Sequence, residues 1–279
     1  MIDFYDAIAE NKKAQLYYNQ GNLREAIALC YKIIKIYPDF VDVYKTLGNV
    51  LQVHGNRNAA IRAYVKATEI QLSDGLSYSQ LSQSLVSKYG SQILQLVSDN
   101  PGQMSFAEYI YITNVVGQKV PGNFLIFGVG KDTQLWLQVN DGGKTIFLED
   151  NQEWLIEIKS SYKNFFEAYL VEYNTRVSQW KDLLREYSEG NDCLSMVLPE
   201  KILLTNWDFI LVDAPAGYSE EKPGRMKSIY TAAKLARQTG THIFIHDCDR
   251  SVENIYSNYF FGKNNLINQV NKLQHYYLK

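Results

Sequence analysis

A strand, a glycine turn and a second strand that ends in acids follow one another near the middle of this chain. The apolar run 124–127 leads into Gly128-Val129-Gly130, and the run 145–148 ends at Glu149 and Asp150. Doubly wound α/β domains hold an adenosine nucleoside in this way, because glycines let the backbone approach the ligand and an acid roughly 20 residues later accepts hydrogen bonds from ribose. Glu149 lies 21 positions after Gly128. The segment therefore predicts a nucleoside site on an α/β sheet.

Two missing features narrow the choice of nucleoside. The third glycine of a dinucleotide fingerprint would stand where the chain has Thr133. The chain also has no Gly-x-x-x-x-Gly-Lys-Ser/Thr segment, so a phosphate-cradling loop is not expected. S-adenosylmethionine carries adenosine and a sulfonium but no pyrophosphate, and it fits these residues better. The alternative is an ordinary glycine-rich turn between a strand and a helix.

Composition limits the classes of protein to be considered. A chain of 279 residues with 46% hydrophobic and 21% charged residues is typical of globular proteins. A formal net charge of −2 without a Lys/Arg-rich block predicts no nucleic-acid and no membrane partner. Neither a signal peptide nor an apolar run of roughly 18 residues is found. Three widely spaced cysteines favour neither a disulfide framework nor a zinc site, so we expect a cytoplasmic protein.

The first hundred residues repeat with a period of 34, which relates Gly21 to Gly55 and Ala26 to Ala60. This period and its small residues resemble the tetratricopeptide repeat, in which paired antiparallel helices stack. We therefore predict an all-α, tetratricopeptide-like helical repeat domain over 1–100. About three repeats are needed for a stable stack, so the array is expected to lean on its neighbour or to form a homodimer. A protein partner on a concave face is the other interpretation.

The turn-forming segment 98–102 predicts the domain boundary, and the pattern beyond it alternates strands with helices. Besides the two strands above, short apolar runs occur at 169–172, 208–212 and 242–245. Helical segments are expected at 77–97, 106–116, 153–166 and 225–237. Alternation of this kind indicates a doubly wound, mostly parallel sheet over 101–279. Ligands of such sheets bind beyond the carboxyl ends of the strands, so polar residues directly after a strand are site candidates.

Two loops after the later strands carry these candidates. Asp213 follows the run 208–212 and can accept a proton, hold a metal ion or orient the donor; a plain turn-former is the alternative. Arg225 follows in the same loop and can clamp a carboxylate, or it can be a solvated residue of the helix's first turn. After the fifth strand comes the segment His246-Asp247-Cys248-Asp249-Arg250. Histidine is a base near neutral pH and paired carboxylates suit a hard cation, whereas Asp249 can also form a surface ion pair with Arg250.

Together these segments resemble the plant glucuronoxylan methyltransferases, a polysaccharide-biosynthesis family. The resemblance covers roughly residues 123–262 and rests on 125–132, 145–150 with Trp154, 173–175, 207–208, 213–218, 223–226 and 241–250. It implies a Rossmann-like methyltransferase domain that uses S-adenosylmethionine for O-methylation. In the plant members it implies transfer to the 4-hydroxyl of glucuronic acid side chains of xylan, with divalent-cation assistance.

The resemblance also implies roles for residues of this chain. The residues that would hold the donor are Gly128, Gly130, Asp132, Glu149 and Asp150. The catalytic residues would be Asp213, His246 and Asp247, and the ligands of a divalent cation would be Asp213, Asp247 and Asp249. The residues that would contact an acidic sugar or glycan substrate are Tyr218, Arg225 and Arg250.

The chain departs from the family at two points. Plant members carry an N-terminal membrane anchor where this chain has helical repeats, and Lys131 stands where a histidine is expected. The first departure argues against Golgi xylan as the acceptor. Two alternatives therefore remain: a methyltransferase for a small molecule or for a protein docked on the repeats, and an interaction protein that binds a nucleoside without turnover.

Overall fold

The computed structural model describes residues 4–71, 78–162, 166–236 and 240–279. The chain divides into two compact units between Asn114 and Val115. The segment 98–102, where the sequence predicts the boundary, lies inside the first unit. Residues 77, 163–165 and 237, which the predicted helices include, lie outside the described residues.

The described regular elements of the first unit are all helices. Its helices are α1 (Phe4–Asn19), α2 (Leu23–Ile36), α3 (Val41–Val53), α4 (Arg57–Gln71), α5 (Tyr78–Asp99) and α6 (Phe106–Gly117), and α6 continues into the second unit. Gly21 and Gly55 follow α1 and α3 with φ of 79° and 87°, a conformation that glycine adopts at no steric cost. The 34-residue period therefore marks the two turns that end α1 and α3.

Small residues let these helices pack closely. A Cβ atom on Gly48 of α3 would lie 2.5 Å from the Tyr64 ring of α4. Tyr64 in turn donates a hydrogen bond of 2.6 Å to Asn49 Oδ1 and stacks on Phe106, with ring centroids 5.0 Å apart. Ala14, Ala26 and Ala60 are fully buried. The predicted helical region is confirmed, whereas its assignment as a tetratricopeptide array stays a prediction.

The second unit contains a sheet that has seven strands within the described residues. Its strands are β1 (Asn123–Phe127), β2 (Lys144–Glu149), β3 (Glu167–Leu170), β4 (Phe209–Val212), β5 (Thr241–Ile245), β6 (Leu266–Val270) and β7 (Leu273–Leu278). The spatial order is β3-β2-β1-β4-β5-β7-β6. Strands β1 to β5 are parallel, β7 is antiparallel to β5, and β6 is antiparallel to β7. This mixed α/β sheet fits the predicted Rossmann-like methyltransferase domain.

Apolar strands and amphipathic helices build the core of this unit. The strand residues Phe124, Phe147, Phe209 and Phe244 are fully buried, as expected for a parallel sheet covered on both faces. The helices are α7 (Thr133–Val139), α8 (Gln152–Ser161), α9 (Trp180–Ser188), α10 (Glu200–Leu204), α11 (Met226–Leu235) and α12 (Ser251–Phe261). No described helix combines the length and the apolar character needed to cross a membrane.

Candidate active site

The strand order reverses between β1 and β4, and the loops after these two strands approach each other closely. Gly128 has φ of 114°, and a Cβ atom there would lie only 3.1 Å from the Cβ of Ala214 in the loop after β4. Both observations require glycine at this position. The switch point of a doubly wound sheet is the usual place for a ligand, so this bend is a candidate nucleoside site.

The glycine bend is tied to the end of β2. Val129 donates its N–H to Glu149 Oε2 (2.9 Å), while its carbonyl accepts from the indole Nε1 of Trp154 (2.6 Å). Trp154 is held in the first turn of α8 because Asn151 caps that helix and accepts from the Trp154 N–H (3.0 Å). The sequence of β2 and α8 thereby fixes the shape of the bend.

Glu149 is buried and accepts three backbone N–H groups. Besides Val129, these are the N–H groups of Asp150 (3.1 Å) and Asn151 (2.9 Å). Burial raises the pKa of Glu149, and the three hydrogen bonds oppose this rise only in part. An ionised carboxylate has about four acceptor positions, and these three N–H groups take up three of them. Asp150 is exposed beside it.

Asp132 and Gly130 lie at the start of α7. Asp132 accepts a hydrogen bond from Trp136 Nε1 (2.9 Å), and Gly130 donates its N–H to the Thr133 hydroxyl (3.1 Å). The hydroxyl of Tyr162 donates to the carbonyl of Lys131 at 2.9 Å. These contacts hold the loop between β1 and α7 in one conformation.

The loops after β4 and β5 bring three ionisable groups together. His246 Nδ1 lies 2.9 Å from Asp213 Oδ1 and 3.7 Å from Asp247 Oδ1. The side chain of Asp213 is 25% exposed, compared with 2% for His246 and 9% for Asp247. Burial acts to raise the pKa of Asp213, but His246 and Arg225 together outweigh burial and hold that pKa below its usual value. Asp213 is thus ionised, and it is the most accessible of the three groups.

Arg225 lies beneath this cluster. Its Nε donates to the Pro215 carbonyl (3.3 Å), its Nη1 to the His246 carbonyl (2.7 Å), and its Nη2 to the Asp213 carbonyl (2.8 Å). The same Nη2 lies 3.1 Å from Asp213 Oδ1 and 2.8 Å from Asp247 Oδ2. The side chain is only 5% exposed. The structure therefore places the predicted carboxylate clamp inside the protein, where it joins the two loops.

Asp247 adopts an uncommon backbone conformation for a residue other than glycine, with φ of 60°. Its Oδ2 lies 3.0 Å from Nη1 of Arg250, a half-buried residue whose Nη1 is also 3.7 Å from Oε1 of the buried Glu253. Burial raises the pKa of Glu253, although Arg225 and Arg250 act in the opposite direction. The side chain of Arg250 is 31% exposed, so Arg250 is more accessible than Arg225.

Two predicted residues are not part of this cluster. Asp249 is exposed, and its carboxylate lies 3.8 Å from Lys272 Nζ. Tyr218 is 69% exposed, and Lys222 Nζ lies 5.3 Å from the centre of its ring. Tyr218 therefore offers an aromatic face to solvent in the loop after β4.

A divalent cation could draw one ligand atom from each of Asp213, His246 and Asp247, since these atoms lie within 4.8 Å of one another. Two carboxylate oxygens and an imidazole nitrogen suit such an ion chemically. Asp213 Oδ1 already contacts His246 and Arg225, and Asp247 Oδ2 contacts Arg225 and Arg250. The donor types suit a cation, but Arg225 already bridges the two carboxylates. The set that the structure brings together contains His246 in place of the predicted Asp249.

Sequence reasoning missed Ser228 as part of this region. Its buried hydroxyl donates to the Ala214 carbonyl (2.8 Å) and lies 2.9 Å from the Tyr173 hydroxyl. Burial raises the pKa of Tyr173, so this phenol stays protonated. The contact joins α11 to the segment after β3. The sequence gives no signal for it beyond a serine in the predicted helix 225–237.

Known proteins match this chain over most of its length. Residues 107–276 match the family model described as IRX15/IRX15L/GXM. The Arabidopsis thaliana protein named Arabinogalactan O-methyltransferase 2 is 33% identical over 243 residues, which are 77% of this chain and 83% of that protein. From the same plant, Glucuronoxylan 4-O-methyltransferase 1 is 37% identical over 191 residues, 62% of this chain and 67% of that protein. Glucuronoxylan 4-O-methyltransferase 3 is 37% identical over 190 residues, which are 62% of this chain and 63% of that protein. The matched range includes the whole sheet except the last residues of β7, and the chain belongs to the IRX15/IRX15L/GXM family.

Proposed function

We propose that this chain is an S-adenosylmethionine-dependent O-methyltransferase that acts on a hydroxyl of a uronic-acid-type sugar or glycan. Its relatives are named as O-methyltransferases of plant polysaccharides. The observation that carries the proposal within this chain is the ionised, accessible Asp213 paired with His246 at the carboxyl edge of the sheet. A cluster of this kind beside a glycine bend brings a proton acceptor next to a nucleoside site.

The donor lies on the bend at Gly128 and Gly130 in this proposal. The absence of a side chain at Gly128 lets the adenosine approach the backbone. Glu149 keeps one acceptor position for a ribose hydroxyl, and the exposed carboxylate of Asp150 is a second acceptor beside it. The methionine part of the donor then extends toward the loop after β4, where Asp213 lies.

Methyl transfer is an in-line displacement in which the acceptor oxygen attacks the methyl carbon and the carbon–sulfur bond breaks. The sulfur leaves as a neutral thioether, and the acceptor hydroxyl gives its proton to a base. Because the oxygen becomes much more acidic as its new bond forms, a carboxylate with a lowered pKa suffices as the base. We assign this role to Asp213, with His246 and Asp247 holding it in place. Much of the acceleration comes from positioning the two reactants.

The family resemblance implies a divalent cation, and its ligand atoms would have to come from Asp213, His246 and Asp247, where Arg225 already bridges the two carboxylates. When bound, such an ion lowers the pKa of an oxygen that it contacts and so assists its deprotonation. The steps assigned to this chain's own residues do not require it. Asp213 can accept the proton directly because its carboxylate is ionised and reaches solvent.

The acidic group of the acceptor is assigned to Arg250. Its planar guanidinium can bind a carboxylate in a bidentate manner, and it is six times as exposed as Arg225, at 31% against 5%. Tyr218 offers an exposed ring beside the same edge, on which the apolar face of a sugar can pack. This assignment favours an acidic sugar over a neutral one.

The helical unit is assigned to a protein partner or to a second copy of the chain. Helices α1 and α2 leave the large apolar residues Tyr5, Leu16 and Tyr31 exposed. Light scattering of the full chain tests self-association directly. A dimer at micromolar concentration would support self-association through these exposed residues. A monomer would exclude a second copy and leave a different protein as the partner of the helical unit.

The activity is tested with methyl-labelled S-adenosylmethionine and two matched oligosaccharides, one with terminal glucuronic acid and one with terminal glucose. We expect label in the acidic oligosaccharide, much less in the neutral one, and none with an Asp213→Ala variant that still binds the demethylated donor by calorimetry. Donor binding without any label transfer would support the non-catalytic alternative. The absence of both binding and transfer would contradict the proposal.

A further inference from the structure

The place that a cation would take in the Asp213–His246–Asp247 cluster is already next to a permanent positive charge. Nη2 of Arg225 lies 3.1 Å from Asp213 Oδ1 and 2.8 Å from Asp247 Oδ2, so one guanidinium nitrogen bridges the two carboxylates. Arginine does not lose its proton in proteins, and this charge is present at every working pH.

Arg225 is held firmly enough to stay there. Three of its hydrogen bonds go to the backbone carbonyls of Asp213, Pro215 and His246, at 2.8, 3.3 and 2.7 Å. These carbonyls belong to the loops after β4 and β5, so displacement of Arg225 would break its hydrogen bonds to both loops. Arg225 is also buried, with only 4% of its surface exposed.

The histidine nitrogen that faces the carboxylates is engaged as well. His246 Nδ1 lies 2.9 Å from Asp213 Oδ1, the same oxygen that Nη2 of Arg225 contacts. An ion bound between these atoms would therefore have to displace this contact and share the oxygen with Arg225.

We propose that Arg225 is the resident cation of this cluster and that it excludes divalent cations from the site. Arg225 is then a positioning residue: it balances the charge of Asp213 and Asp247 and fixes the base for methyl transfer. The catalytic half of this proposal, cation-independent transfer, rests on the proposed function. The binding half concerns only the affinity of the protein for cations and does not rest on the proposed function.

The binding half is tested by titrating the full chain with Mn²⁺ and following bound ion by electron paramagnetic resonance. We expect the wild-type chain to show no site whose occupancy depends on Asp213, as judged by comparison with Asp213→Asn. We expect Arg225→Gln to bind Mn²⁺ at least about tenfold more tightly, the size of effect typical for groups that surround a metal site. Adding Asp213→Asn to Arg225→Gln should remove the new binding.

Arg185→Gln is the matched control, because Arg185 is exposed and pairs with Asp182 in α9. It should leave Mn²⁺ binding unchanged. Circular dichroism checks that each variant is folded, and Arg225→Lys, which keeps the charge, should bind Mn²⁺ no better than wild type. If Arg225→Gln does not fold, the wild-type titration and Arg225→Lys still decide the question.

A wild-type Mn²⁺ site that Asp213→Asn abolishes would overturn the proposal, and so would a folded Arg225→Gln variant that binds no more tightly. For the catalytic half, label transfer by the wild type should be equal with a chelator and with added Mn²⁺. Transfer that stops with the chelator would overturn that half. No transfer under either condition would instead count against the proposed function and leave the titration as the test of exclusion.

Discussion

Asp213 combines three properties that a base for methyl transfer needs. It follows a strand at the ligand edge of the sheet, its carboxylate is held ionised by His246 and Arg225, and a quarter of the side chain, 25%, reaches solvent. His246 and Asp247 are more deeply buried and contact it or its arginine partner. We therefore assign contact with the acceptor to Asp213, because it is the most exposed of the three. His246 and Asp247 are assigned the role of holding Asp213 and Arg225 in place.

Replacing Asp213 by Asn keeps the size of the side chain and removes its negative charge. We expect methyl transfer to fall by about 10²–10⁴-fold, the usual contribution of a general base, while affinity for the demethylated donor stays the same. Label transfer and calorimetry measure the two quantities. Asp182→Asn, on the exposed face of α9, is the control and should have full activity. Full activity of Asp213→Asn would refute the assignment.

Gly128 gives a second prediction for a single residue. Gly128→Val places a β-branched side chain at φ of 114° and 3.1 Å from Ala214 Cβ. We expect a loss of roughly 1–3 kcal/mol of unfolding free energy from the backbone strain, together with loss of donor binding. Denaturant titration and calorimetry with the demethylated donor test this.

Gly142→Val is the matched control for Gly128. Gly142 also has a positive φ, 76°, but a Cβ atom there would meet nothing nearer than 3.9 Å. This variant should lose comparable stability and keep donor binding. Equal donor affinity in both variants would show that the approach of the loops after β1 and β4 does not form the donor site.

For single residues, the sequence predicted the position in the fold better than it predicted the partners of the side chain. Asp213 and His246 could be placed at one edge because the carboxyl ends of neighbouring parallel strands meet there. The burial of the Arg225 side chain between two loops could not be predicted, because its partners are backbone carbonyls of loops that are separated in the chain. Neither could the contact of Ser228 with Tyr173, which crosses from α11 to the segment after β3.

The pairing of β5 with β7 has an electrostatic consequence at the scale of the elements. His242 of β5 and His275 of β7 face each other, with Nδ1 and Nε2 3.0 Å apart. Burial and the nearby Lys119 lower the pKa of His242 to about 4, against an opposing effect of Asp208. Burial and His242 hold the pKa of His275 well below its usual value. Both rings are neutral in the folded protein near neutral pH.

A histidine whose pKa is lowered by folding stabilises the protein above its unfolded-state pKa, and this stability is lost as the pH falls. At pH 5 an unfolded histidine is protonated while His242 is not, so we expect unfolding to become easier by roughly 2 kcal/mol between pH 7.5 and pH 5 from His242 alone. The loss continues until the pH reaches the folded pKa of about 4. Urea unfolding at several pH values measures it.

The variant His242→Gln removes the titrating ring and serves as the comparison. Its unfolding free energy should depend less on pH between 7.5 and 5 than that of the wild type. An identical pH dependence would show that His242 is not kept neutral by burial. His54→Gln is a suitable control, because His54 is an exposed residue at the end of α3. This variant should show the same change in unfolding free energy between pH 7.5 and pH 5 as the wild type.

The sequence predicted the parallel strands but not the hairpin that completes the sheet. Buried parallel strands are continuous apolar runs, and β1, β2, β4 and β5 were found where these runs occur. Strand β3 is at Glu167–Leu170, two residues earlier than the predicted run. The sequence of the edge strand β6 does not alternate polar with apolar residues, although Ile267 and Gln269 are exposed, and the turn before β7 uses Asn271 at φ of 51°. These short polar signals are weak in a single sequence.

At the scale of the whole molecule, the two units follow different rules of construction. A 34-residue period with positive-φ glycines builds the helical unit, whereas apolar strand runs followed by polar residues build the sheet. The change of period could be read from the sequence. The division at Asn114 and Val115 could not, since it lies inside the continuous helix α6 and no turn-former marks it.

The central claim is that the donor lies on the glycine bend with its methyl group directed at Asp213. A crystal structure of the full chain soaked with the demethylated donor and Mn²⁺ tests this most directly. We predict nucleoside density along Gly128–Gly130 with its ribose at Glu149 or Asp150, its sulfur facing Asp213, and no Mn²⁺ beside Arg225. Nucleoside density elsewhere, with the bend filled by side chains, would contradict the account.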